Sequence, residues 1–149
     1  MTIKMKKIIF FSSLLITLIL CSCKREDDIN VIFDGKTWYI NGVTVNNKDA
    51  NQEDMTKLYQ SGKDYYRIAF SSNTFIATMS EGIVFTGKWS ANGKTQEVSM
   101  SIDDKPSAAT TLDNTIISLI EKTKSYEGDS HVLLLKKDKN NFIRMCEKR

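Results

Sequence analysis

The strongest constraint on the fold of this chain is an alternation of period two that recurs along it and is cut by short polar turns. Gly82 to Ser90 shows it most clearly, with Ile83, Phe85, Gly87 and Trp89 alternating with Val84, Thr86 and Lys88. Successive side chains of a strand point to opposite faces, so this spacing predicts a strand with one apolar face. Asn92-Gly93 follows, and it predicts a two-residue hairpin turn whose positions both need positive φ. Lys94 to Ile102 answers with Val98, Met100 and Ile102 on one face. Its other face, Thr95, Glu97, Ser99 and Ser101, is wholly polar and must meet water.

The same period predicts further strands. Thr37 to Val45 presents Trp38 and Ile40, then Val43 and Val45 after Asn41-Gly42, and the change of phase predicts a β-bulge at the glycine. Tyr65 to Phe70 places Tyr66, Ile68 and Phe70 together, and Thr74 to Ser80 sets Phe75, Ala77 and Met79 against Ile76 and Thr78. A final hairpin pairs His131 to Lys137 with Asn141 to Glu147 through Asp138-Lys139-Asn140. Two segments have helical spacing instead. Asn51 to Ser61 carries Met55, Leu58 and Tyr59, with Gly62 where a helix stop belongs. Ala108 to Thr123, after a turn at Asp103 to Pro106, aligns Leu112, Ile116, Leu119, Ile120 and Thr123, with Asp113 and Lys122 near the favourable ends of the dipole. Its many Thr and Ile lower its intrinsic propensity, so it depends on docking.

Seven strands in sequential order predict an antiparallel meander, and closing such a sheet removes its two exposed edges. The expected fold is therefore mainly β, an antiparallel up-and-down barrel with one short and one longer helix. An open sheet packed on the longer helix is the alternative.

The N-terminus reads as an address. Lys4, Lys6 and Lys7 precede an uncharged apolar run from Ile8 to Leu20. That is the layout of a secretory signal, and it is shorter than the ~20 residues that span a bilayer. Ser22 supplies the small residue that cleavage needs before Cys23. Leu20-Cys21-Ser22-Cys23 resembles the lipobox of bacterial lipoproteins, which implies that Cys23 becomes the mature N-terminus and carries acyl chains. Two or more such chains anchor a protein stably. Cys23 to about Asn30 is polar and without periodicity, a flexible tether. The expected division is a leader over 1–22, a lipidated tether over 23–31 and a barrel domain over 32–149. Glu26-Asp27-Asp28 resembles the acidic signal that sends some lipoproteins of one Gram-negative phylum to the outer face of the outer membrane; an ordinary solvated linker has the same composition. Outer-membrane anchoring is the expected location, with the cell surface as its finer form.

Phe33-Asp34-Gly35-Lys36-Thr37-Trp38 resembles the opening of lipocalin-like domains, and Gly87-Lys88-Trp89 repeats a Gly-x-Trp pattern. The whole mature chain resembles the small lipocalin-like lipoproteins of unknown function of that phylum, with a helix inserted before the last hairpin. There a segment like Tyr126-Glu127-Gly128-Asp129 leads from helix to penultimate strand. The resemblance implies a barrel, an envelope location and no established activity.

Composition narrows the chemistry. The leader takes three Lys and no acid from 21 basic and 18 acidic residues, so the mature chain is electrically balanced. No basic stripe remains for nucleic acid. One His and three Cys are too few for a zinc site. With Cys23 acylated, Cys146 stands alone and no internal disulfide can form. Asp129-Ser130-His131 invites a catalytic reading, but neighbours on a strand face opposite ways and no Gly-x-Ser-x-Gly elbow is present. The acidic pairs Glu53-Asp54 and Asp103-Asp104 adjoin a helix start and a turn, where acids stabilise structure. Asn47, Asp49, Asn51 and Glu53 begin like a calcium loop, but Gln52 and Leu58 stand where Gly and Glu are needed. No enzyme activity, metal or cofactor is expected.

What remains is the barrel interior, for which Trp38, Tyr66, Phe70, Phe75, Phe85, Trp89 and Met100 are the candidate lining residues. A barrel of about eight strands either holds one small ligand or fills itself with side chains. The expected function is a lipid-anchored, non-enzymatic domain that binds a small hydrophobic ligand. The alternative is a protein-interaction or inhibitor module of an outer-membrane or surface complex.

Overall fold

The computed structural model describes residues 26–59 and 64–147. The leader, Cys23 and the Gly62 stop therefore lie outside the described residues. In chain order the elements are α1 (Ile29–Ile32), β1 (Thr37–Val45), β2 (Lys48–Asp49), α2 (Gln52–Leu58), β3 (Arg67–Ser71) and β4 (Thr74–Thr78). After a 3₁₀ turn at Ser80–Gly82 come β5 (Val84–Asn92), β6 (Glu97–Ile102), α3 (Thr111–Glu121), β7 (Ser125–Gly128), β8 (Val132–Asp138) and β9 (Asn141–Cys146).

Every neighbouring strand pair is antiparallel, and β1 pairs with β9 as well as with β3. That pairing closes β1 and β3 to β9 into an eight-stranded lipocalin-like barrel, with β2 folded back on the end of β1. Closure wins over the open sheet because it satisfies two rows of edge N–H and C=O groups at once. The bulge expected at Gly42 is present as a register shift between Ile40 and Gly42. A Cβ at Gly42 would meet the Arg144 guanidinium at 2.9 Å, so the bulged strand also makes room for a neighbour's side chain.

One end of the barrel carries the β3–β4, β5–β6 and β7–β8 turns and is called here the hairpin end. The other carries the Ser80–Gly82 turn, the β8–β9 turn and the start of α3, and is called the helix end. β7 is short and meets β6 at a single residue pair, Glu97 with Ser125. The wall beyond that pair is filled by α3, which packs on β6, β8 and β9. Leu112, Ile116, Ile117, Leu119 and Ile120 are its buried apolar side chains. Each buried side chain of this kind contributes about 1.5–3 kcal/mol, which outweighs the propensity deficit of the Thr- and Ile-rich sequence. Docking holds the helix, as its composition requires.

Four features differ from the sequence reading. Asp28 caps a helix at Ile29–Ile32, accepting from the Asn30 and Val31 amides, so the chain is already structured where a flexible tether to residue 31 was expected. Tyr126 to Asp129 does not simply connect, since Ser125–Gly128 is a strand of its own. The short Lys48–Asp49 strand is likewise additional. The Asn92-Gly93 hairpin is not a two-residue turn. The Asn92 side chain accepts from the Lys94 and Thr95 amides, and positive φ falls at Gln96, at 58°. Gly93 is required for a different reason, because an added Cβ would lie 2.1 Å from the Asp27 carbonyl oxygen.

Candidate functional site

The barrel interior is an aromatic cluster. Trp38, Tyr66, Phe70, Phe75, Phe85, Trp89 and Met100 are all buried, at 7% exposure or less. Period two delivers the strand residues inward, where Phe70, Phe75, Phe85 and Trp89 pack ring against ring. Phe70 meets Trp89 edge-on at 5.5 Å and Phe75 at 6.3 Å, while Phe75 meets Phe85 edge-on at 6.4 Å. The two indole N–H groups donate to backbone carbonyls, Trp38 to Ile32 and Trp89 to Thr74, so their polar edges cost little inside.

The centre of the cluster is a residue outside the expected lining set. Phe33, at the end of α1, is fully buried and stacks on Trp89 with centroids 4.9 Å apart. It also meets Phe70 and Tyr126 edge-on, each at 5.2 Å. The sequence carried a signal for this, since Ile29, Ile32 and Phe33 follow the capping Asp28 at helical spacing, but four residues are too few to read as a helix.

Asp27 fastens this segment. Its amide donates to the Gly93 carbonyl at 3.1 Å, and its carboxylate accepts from Gln96 Nε2 and Tyr126 Oη, each at 3.0 Å. Burial, reinforced by the Asp27 carboxylate, pushes the Tyr126 phenol well above the ordinary tyrosine range. Asp34 accepts from the Ser72 amide and the Lys36 carbonyl accepts from the Phe70 amide. The segment from Asp27 to Lys36 is thus stitched across the hairpin end.

A second buried group lies at the helix end. Asp113 is fully buried within a capping box with Thr110 at the start of α3, and it accepts from the Ser80 hydroxyl. Tyr66, with φ at 54°, holds its hydroxyl beside Ser80 and Asp113 without a hydrogen-bond partner among the described residues. Burial raises the pKa of that phenol. The arrangement ties α3 to the turn before β5. It offers an acid and two hydroxyls inside a packed wall.

Three clefts among the described residues open to the outside. One of about 340 Å³ runs between the polar face of α3 (Thr111, Asn114, Thr115, Ser118) and the ends of β1, β8 and β9. A second, of about 240 Å³, adjoins it beside Lys48, Asp49 and Asp54. A third, of about 450 Å³, lies over Ser90, Glu97 and Lys124 near the seam between β6 and β7.

The remaining sequence candidates are separated. The His131 side chain is 78% exposed, with Nδ1 3.5 Å from Glu147. Asp129 accepts from the His131 and Val132 amides, which lowers its pKa, so it builds the turn before β8. Glu53 pairs with Lys57 on α2, whereas Asp103 accepts from Thr86 on β5. Asp49 accepts from Thr44 and Asn51 caps α2, so the calcium-like spacing is used for local structure. Among the described residues no group of three or more acid, His or Cys side chains is placed to hold a metal ion.

Comparison with known proteins agrees with this geometry. Residues 24–146 match the family described as a domain of unknown function (DUF4847). The crystal structure of a DUF4847 family protein from Bacteroides vulgatus ATCC 8482 is similar, with a TM-score of 0.63 and 23% identity, covering 81% of this chain and 98% of that one. At that identity the likeness speaks to fold. No curated protein matches.

Proposed function

This chain belongs to the DUF4847 family of domains of unknown function, and from that premise we propose that it is a lipid-anchored, non-enzymatic envelope protein whose barrel is a binding module that recognises a protein partner through its outer surface. The observation that carries the surface reading is the aromatic packing inside: Phe33 is fully buried and fills the space between Trp89, Phe70 and Tyr126. The anchor reading is supported by the Leu20-Cys21-Ser22-Cys23 motif after an uncharged run, with Cys23 acylated and residues 1–22 removed. The expected membrane is the outer membrane of a Gram-negative cell, with the acidic Glu26-Asp27-Asp28 run favouring its outer face. No nucleic acid or cofactor enters this reading.

A second reading keeps the small hydrophobic ligand, and one observation favours it. Trp89, Phe70 and Tyr126 together form an apolar aromatic surface, now covered by Phe33, of the kind that a small hydrophobic ligand would use. Three experiments on protein from its own membrane test the anchor and separate the readings. Radiolabelled palmitate should mark the wild type and not Cys23→Ala, and label on the variant overturns the anchor. A protein retained by the anchored form after washing supports the surface module. A native mass spectrum showing a stoichiometric apolar molecule overturns it in favour of the ligand.

A further inference from the structure

We infer that the barrel stands on the membrane by its hairpin end, which faces lipid headgroups, while the helix end and its clefts face the aqueous space. This rests on acylation of Cys23. The argument is one of reach. Asp27 is fixed to the hairpin end by its amide bond to the Gly93 carbonyl and by the Gln96 and Tyr126 side chains on its carboxylate. Gly93 is also the place where nothing larger than hydrogen fits against the Asp27 backbone. Cys23 lies four residues before Asp27 in the sequence. Four residues reach at most about 14 Å, however they are arranged.

An acylated Cys23 sits at headgroup level, so Asp27 and the β5–β6 turn stay within that distance of the surface. β5 is nine residues long, and at ~3.3 Å per residue with a barrel's tilt it carries the helix end roughly 21–24 Å farther out along the barrel axis. The chemistry of the near end agrees. Ser72, Asn73, Lys94, Thr95, Asp129 and His131 are exposed there beside Val31 and Val132, a mostly polar rim suited to touching hydrated headgroups. The cleft beside α3 is then presented away from the bilayer, where a soluble or surface partner meets it.

The test uses the full acylated lipoprotein in vesicles of phosphatidylethanolamine and phosphatidylglycerol that carry a nitroxide-headgroup lipid. A fluorophore is placed at Lys94→Cys or at Lys139→Cys, each in a Cys146→Ser background, and acylation of Cys23 is checked by mass spectrometry on the same sample. The expected result is loss of fluorescence at position 94 with position 139 left bright. A long Gly-Ser insertion after Lys24 should restore the fluorescence at 94. Equal quenching at both sites, stronger quenching at 139, or no response to the insertion overturns the orientation while the anchor stands. An unacylated Cys23 overturns the anchor itself, and mass spectrometry reveals it before any fluorescence is read.

Discussion

Phe33 and Trp89 lie ring on ring, 4.9 Å between centroids and 26° between planes, although one is the residue that ends the four-residue helix α1 and the other lies within β5. This stack makes the N-terminal segment part of the core. It bears on both parts of the proposed function, what fills the barrel and how close the barrel would stay to an acylated Cys23.

Phe33→Ala should cost about 3–5 kcal/mol, the range for deleting a fully buried aromatic ring. Urea unfolding followed by tryptophan fluorescence measures it. The same variant should take up a small aromatic probe that the wild type excludes. A loss below about 1 kcal/mol would mean that the ring is dispensable filling.

Gly87→Ala tests the inward wall. An added Cβ would lie 2.1 Å from the Ser101 carbonyl oxygen and 2.5 Å from the Phe75 ring. The first of these is backbone and cannot swing aside, so overpacking should destabilise by about 1–3 kcal/mol. A thermal melt equal to wild type would show that β5 and β6 can separate there.

The helix-end cluster predicts opposite outcomes for two neighbours. Asp113→Ala removes the capping box and the bond from Ser80, and should cost about 1–3 kcal/mol. Tyr66→Phe deletes a buried hydroxyl that has no partner among the described residues, so it should be neutral or slightly stabilising. Chemical denaturation of both variants side by side decides it, and a large loss in Tyr66→Phe would show that the hydroxyl is bonded.

Alkaline stability should depend on Tyr126. Burial and then the neighbouring Asp27 carboxylate raise its pKa in the folded state. A raised value means that the folded protein holds the proton more tightly. The contribution is therefore fully present below the unfolded value near pH 10, and is lost as pH rises through the higher folded value. Urea midpoints taken on either side of that pH should fall less steeply in Tyr126→Phe than in wild type. Equal slopes would count against the Tyr126 to Asp27 contact.

Much of the barrel was legible in local pattern. The inward faces of β1, β3, β4, β5 and β6, the Gly42 bulge, the docked α3 and the final hairpin all follow from spacing of apolar side chains. That spacing is imposed residue by residue, because a strand alternates and a helix turns wherever it occurs. The seven expected lining residues are inside for the same reason. Tyr126 and the β7 strand were hidden because four residues between a helix and a hairpin carry too little periodicity to stand out. The Gly93 reading failed because a glycine serves either positive φ or close approach, and the identity of the residue does not distinguish them.

The sequence by itself determined seven of the strands and the faces they bury. Tertiary structure alone decided that β1 meets β9, that α3 replaces the missing length of β7, and that Phe33 and Asp27 close the hairpin end. These contacts join residues far apart along the chain, and their energy depends on shape and on satisfied hydrogen bonds once the ring is closed. Nothing in the local spacing of Phe33 encodes the space beside Trp89 that it fills.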